Sequence, residues 1–152
     1  MAPPARVTRT AVRMAVVATP DYCERQRPPK TPQDLQGHNC INLRLPTRGG
    51  LYPWEFEKGS REIKVHVEGQ LVFNTLGTRL RAIRAGLGIG FVPEDIVQDD
   101  VTAGRLVRVL ADWCAPFPGY HLYYPSRRHT SPALSLLVDA VRYREKKGGR
   151  RD

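Results

Sequence analysis

The block Asn74-Thr-Leu-Gly-Thr-Arg-Leu-Arg-Ala-Ile-Arg-Ala-Gly-Leu-Gly-Ile-Gly-Phe-Val-Pro93 constrains this chain most. Leu76, Leu80, Ile83 and Leu87 recur at helical spacing and define one apolar face. Arg79, Arg81 and Arg84 fall off that face and are expected in solvent. Asn74 and Thr75 suit an N-cap, and Gly86 suits a helix terminator. The order is therefore helix, Gly-x-Gly-x-Gly turn, buried strand. A dinucleotide fingerprint needs the opposite order, because phosphate must meet a helix N-terminus that follows the glycines. The run is not a nucleotide loop.

The rest of the chain supports a mixed α/β reading. Val12–Ala18 is almost continuously apolar and reads as a strand buried on both faces. Thr19-Pro20 and Thr31-Pro32 each read as an N-cap with proline at the first helical position. Cys40 to Leu43 reads as a strand. Trp54, Phe56 and the alternating Ile63, Val65 and Val67 suggest a hairpin turning at Lys58-Gly59-Ser60, with a bend at Gly69. Glu94 to Val101 reads as a helix ended by Gly104, followed by a strand at Leu106–Leu110. A Pro-rich loop, an aromatic strand at Tyr120–Tyr124 and a helix opened by Ser131-Pro132 complete the pattern. That last helix shows an apolar face of Leu134, Leu137, Val138 and Val141. The first strand and the last helix lack obvious partners nearby, which suggests a second lobe mostly outside this chain.

Composition excludes several classes. The 152 residues suffice for one domain with a core, and 41% apolar content is that of a globular chain. No apolar run approaches the roughly 18 residues needed to span a bilayer. Met14–Ala18 is too short for the apolar region of a signal peptide, so the expected location is cytoplasmic. Cys23, Cys40 and Cys114 are odd in number and lack metal-site spacing, and His38, His66, His121 and His129 form no ligand pair. Neither a metal nor another cofactor is expected. The net charge of +9 sits mostly at the ends: Arg6, Arg9 and Arg13 give +3, and residues 142–152 give +4. The body is nearly balanced, which is no footprint for DNA.

Catalytic motifs are missing. There is no GxSxG, P-loop or HExxH, and Ser126 has no glycine-bracketed elbow, so no catalytic residue is assigned and the chain is not expected to be an enzyme. Glu94-Asp95 and Asp99-Asp100 read as solvated helix ends rather than paired acids. One binding feature stands out. Free N–H groups at the helix start marked by Asn74 and Thr75 can hold a carboxylate or phosphate, and Thr19 with Pro20 offers a second start of the same kind. Two such starts facing one cleft would suit a small organic anion. Plain capping without a ligand explains the same residues equally well.

Several segments in fixed order resemble one family. They are Met14-Ala-Val-Val-Ala-Thr-Pro-Asp-Tyr22, Pro32-Gln-Asp-Leu-Gln-Gly-His-Asn-Cys-Ile41, Tyr52-Pro-Trp-Glu-Phe56, Val67-Glu-Gly-Gln-Leu-Val-Phe-Asn74, Ala85-Gly-Leu-Gly-Ile-Gly-Phe-Val-Pro93, Gly104-Arg-Leu-Val-Arg-Val-Leu110 and His121-Leu-Tyr-Tyr-Pro-Ser-Arg-Arg128. Together they resemble the C-terminal effector-binding domain of LysR-type transcriptional regulators. The resemblance implies a type II periplasmic-binding-protein-like fold, mainly its second lobe, with a crossover strand and the C-terminal helix of the first lobe. Residues 1–10 would be a disordered lead, 11–143 the partial effector domain with its second lobe at about 19–119, and 144–152 a basic tail. The effector, a small organic anion, would bind at the lobe interface. By position, Thr19, Pro20, Asn74, Thr75, Phe91, Val92 and Pro93 would line the cleft. The family's helix-turn-helix has no counterpart here, so no specific DNA contact and no membrane contact is assigned to the chain. Homo- or hetero-oligomers with LysR-type subunits are implied. Two alternatives stay open: a fragment that pairs with a full-length regulator and inhibits it, and a solute-binding protein.

Overall fold

The computed structural model describes residues 5–6, 12–46, 50–117, 121–122 and 131–141. The chain divides into two compact units, Arg13–Pro116 and a smaller one made of Met1–Val12 with Phe117–Asp152. Along the chain the first elements are β1 (Ala5–Arg6), β2 (Met14–Ala18), α1 (Pro20–Arg25), a 3-10 helix (Pro32–Gly37) and β3 (Asn42–Leu43). Then come β4 (Trp54–Lys58), β5 (Arg61–Val65), β6 (Val72–Phe73), α2 (Leu76–Arg84) and β7 (Gly90–Pro93). They are followed by α3 (Glu94–Thr102), β8 (Val107–Val109), a 3-10 turn (Ala111–Trp113), β9 (His121–Leu122) and α4 (Pro132–Val141).

β2 is the spine of the larger unit. It pairs antiparallel with β7 on one side and β8 on the other, with Met14 opposite Pro93 and Val17 opposite both Gly90 and Arg108. Ala15 and Val17 point into a cluster with Leu80, Ile83, Val92 and Val97. Val16 and Ala18 point into a second cluster with Trp54, Phe56 and Phe91. A strand buried on both faces needs no polar alternation, which is why this segment reads as an unbroken apolar run. Each buried valine contributes about 1.5–3 kcal/mol. The expectation that β2 lacks partners in the chain is corrected: both of its edges are filled from within Arg13–Pro116.

The hairpin forms as expected. Lys58 pairs with Arg61 across a two-residue turn at Gly59-Ser60, and Gly59 takes the positive φ of 62° that such a turn requires. Trp54, Phe56 and Val65 face inward while Glu55 and Glu57 face out. β3 and β6 run parallel, and the predicted bend at Gly69 has a steric cause: a Cβ there would lie 1.9 Å from the Cys40 carbonyl oxygen. Cys23, Cys40 and Cys114 are all free thiols.

α2 ends in a Schellman turn. Gly86 has φ 77°, its N–H donates to the Ile83 carbonyl, and the Leu87 N–H donates to that of Ala82. The helix therefore stops before Leu87, which is 50% exposed rather than part of the apolar face. In the smaller unit β1 pairs antiparallel with β9, so the expected disordered lead contains a short strand. Ser131 caps α4 by accepting the Leu134 N–H at 3.2 Å. Of the expected α4 face, Val138 is buried but Leu137 is 53% exposed. Most of the expected strand at Tyr120–Tyr124, Ser126, His129 and the basic tail lie outside the described residues.

Candidate functional site

α2 and β7 together fix where the expected site residues lie. A Cβ on Gly90 would meet Ile83 near the helix C-terminus, and the Phe91 carbonyl receives a hydrogen bond from Arg79 nearer its start. β7 thus runs back along α2, so Pro93 lies toward the same end as Asn74 and Thr75. Thr19 lies at the other end. Its Oγ1 would sit 3.1 Å from a Cβ placed on Gly86, and Arg25 donates to the Gly86 carbonyl at 3.1 Å. Nine helical residues separate the two ends by about 13 Å at 1.5 Å per residue. The two helix starts are not brought together: Thr19 and Pro20 stand apart from Asn74, Thr75 and Pro93.

The start of α1 is internally satisfied. Thr19 Oγ1 accepts the Tyr22 N–H at 3.3 Å, and Pro20 occupies the first helical position, where a missing N–H costs nothing. The start of α2 differs. Thr75 is its N-cap, but its side chain makes no capping hydrogen bond and instead meets Thr78 Oγ1 at 2.8 Å. Asn74, Thr75, Gly77 and Thr78 are exposed. The first-turn N–H groups carry the positive end of the helix dipole, which favours an anion. Phe91 and Val92, expected to line the cleft, are only 2% and 0% exposed. Phe91 packs against Trp54 and Phe56 at ring distances of 5.4 and 5.3 Å, leaving Pro93 as the strand-end residue at the surface.

Arg79 departs most from the sequence reading. It is 3% exposed, not solvated. Its Nη2 donates to the Phe91 carbonyl and its Nε has no partner. Among the described residues no carboxylate pairs with it. Burial pushes the guanidinium pKa down to about 10. The missed signal is spacing: Leu76, Arg79 and Ile83 stand at i, i+3 and i+7, which is the inward stripe.

Two acids also correct the reading. Glu94 is clasped by Arg13 at 3.4 Å and by Arg108, which donates further to the Met14 carbonyl. Burial pushes its carboxyl up, but hydrogen bonds and charge from Arg13 and Arg108 bring it below the usual range. Asp100 is buried between Arg105 and Arg84, each at 2.8 Å, and these hydrogen bonds hold its carboxyl low. Neither residue is a solvated helix end; each is a structural ion-pair centre. Asp95 and Asp99 are the exposed members.

Other reactive groups are committed elsewhere. Burial pushes the Cys40 thiol up to about 12, which removes the thiolate a nucleophile needs. His38 Nδ1 lies 2.9 Å from the Tyr22 hydroxyl. Among the described residues no group of three or more His, Cys, Asp or Glu could hold a metal. An open groove of about 520 Å³, lined by residues such as His38, Asn39 and Gln70, was not foreseen. It lies on the Gly86 side of α2, since Asn39 donates to the Leu87 carbonyl.

Comparison with known proteins places these features in a family. Residues 9–146 match the family model of the LysR substrate binding domain, and the chain belongs to that family. It is 52% identical over 137 residues to a putative transcriptional regulator of Pseudomonas aeruginosa PAO1, covering 90% of this chain and 45% of that protein. It is 41% identical over 131 residues to the HTH-type transcriptional regulator PgrR of Escherichia coli K12, covering 86% and 44%. The chain spans a little under half the length of these relatives. The regulatory domain of AphB from Vibrio vulnificus, treated with cumene hydroperoxide, superposes with a TM-score of 0.75 at 25% identity, covering 93% of this chain and 69% of that one. The fold is the type II periplasmic-binding-protein-like fold of LysR regulatory domains. Both of these relatives are named as transcriptional regulators. Among the described residues no helix is long and apolar enough to cross a membrane.

Proposed function

We propose that this chain is the effector-sensing part of a cytoplasmic LysR-type transcriptional regulator. In this reading a small organic anion is taken at the start of α2, by Asn74, Thr75 and the first-turn N–H groups beside Pro93. The observation that carries it is the state of that helix start: exposed, without a side-chain cap, and therefore able to donate its first-turn N–H groups to a ligand's oxygens. Sensing is assigned to Arg13–Pro116, the counterpart of the family's second lobe, and DNA reading to other parts of the regulator. Binding biases how paired subunits sit and thereby alters transcription.

A melting panel of aromatic and dicarboxylic acids tests this. An acid at 100 times its Kd adds about 2.7 kcal/mol, which for a domain of this size raises Tm by about 5–10 °C. The double variant Asn74→Ala, Thr75→Ala is expected to lose most of that rise. A panel without effect on the parent chain, or an equal rise in the variant, rejects the reading. A second reading, pairing with other LysR-type subunits, is favoured by α4, where Leu136 is 72% and Leu137 53% exposed. Size exclusion with a full-length relative distinguishes it, since it requires a mixed complex.

A further inference from the structure

The buried guanidinium of Arg79 lacks any counter-charge that the described residues supply. A cation removed from water costs several kcal/mol unless paired and hydrogen-bonded. Arg79 receives only part of this compensation, from the Phe91 carbonyl. Its Nε stays unfilled, and a guanidinium is donor-only, so its complement is an acceptor-only group such as a carboxylate.

Direction supports the same conclusion. Arg79 is the fourth residue of α2, and long helical side chains run back toward the N-terminus over the preceding turn. Its Nη2 reaches the Phe91 carbonyl of β7, the strand that runs back along α2 and ends at Pro93, toward the same end as Asn74 and Thr75. We infer that Arg79 is the charged anchor of the anion site at the start of α2, and that the effector class is a carboxylate bound jointly by the first-turn N–H groups and the Arg79 fork. The inference rests on the effector-site reading above and adds to it the ligand's charge-bearing group and the residue that selects it.

The test uses the full 152-residue chain with sodium benzoate and sodium succinate as probes. Benzamide and succinamide serve as neutral counterparts, and sodium chloride holds ionic strength constant. The carboxylates are expected to raise Tm and the amides not. Arg79→Leu is expected to melt higher than the parent without ligand, because the unpaired buried charge is gone, and to lose about tenfold or more in carboxylate affinity. Arg79→Lys keeps the charge but not the fork, and is expected to lose several-fold. If Arg79→Leu does not fold, the lysine variant decides, and an undiminished response there overturns the inference. A full carboxylate response in Arg79→Leu that Asn74→Ala, Thr75→Ala abolishes overturns the role of Arg79 and leaves the effector site standing. Equal stabilisation by amides and carboxylates overturns the carboxylate class alone. No response to any probe overturns the inference, and the wider acid panel then judges the effector site separately.

Discussion

The two ends of α2 are built in opposite ways. At its C-terminal end Gly86 closes a Schellman turn, Arg25 caps the freed carbonyl, and Arg84 pairs with a buried Asp100 that also holds Arg105. At its N-terminal end the Thr75 side chain leaves the helix uncapped, and Arg79 is buried with no carboxylate partner among the described residues. One end has its hydrogen bonds and charges matched from within the chain. The other exposes donors and conceals a positive charge. Matched groups hold a fold together, while unmatched donors at the other end are what the proposed anion site would use.

The largest effect expected from challenging this contrast is at the closed end. A Cβ on Gly88 would lie 2.3 Å from the Asn39 carbonyl oxygen, a backbone atom that cannot step aside. Gly88→Ala is expected to lose about 3 kcal/mol in urea unfolding. The same change at Gly77, where nothing lies within 4 Å, is expected to be neutral or to gain about 0.5 kcal/mol. Equal losses at both would refute the contrast.

Asp100→Asn comes next, with an expected loss of about 1.5 kcal/mol at neutral pH, because its arginine partners are half-exposed and screened. The pH dependence has a definite sign. Hydrogen bonds from Arg105 and Arg84 lower the folded carboxyl's pKa. Its stabilisation is therefore present above the unfolded value near 3.9 and disappears as pH falls through the lower folded value. Urea midpoints between pH 6 and 2 should fall less steeply in the asparagine variant; parallel profiles would assign the acid sensitivity elsewhere.

The smallest expected difference compares the two caps. Thr19 accepts a first-turn N–H and Thr75 does not. Thr19→Ala is expected to cost about 1 kcal/mol and Thr75→Ala a few tenths. A larger loss at Thr75 would mean that its pairing with Thr78 does the work of a cap.

Much of the fold was legible because its signals are local. Thr19-Pro20, Gly59-Ser60 and Gly86 each impose a backbone geometry with few alternatives, and the structure adopts it. The apolar run of β2 announced burial on both faces, although not which strands would flank it. The candidate site was legible only in outline. Asn74 and Thr75 read as a helix start, but the strand-end position of Phe91 and Val92 does not reveal that packing against Trp54, Phe56 and the inner cluster buries them.

By itself, then, the sequence determined the elements and their order, and the family through segments kept in register along the chain. These depend on capping, glycine conformations and apolar spacing, all set within a few residues. Tertiary structure decided what lies beside what. It placed Thr19 against Gly86 rather than near Asn74, gathered arginines around Glu94 and Asp100, and turned Arg79 inward beside Phe91. Those outcomes depend on residues far apart in the chain, and on which charges find partners once water is removed. No periodicity within a single segment encodes them.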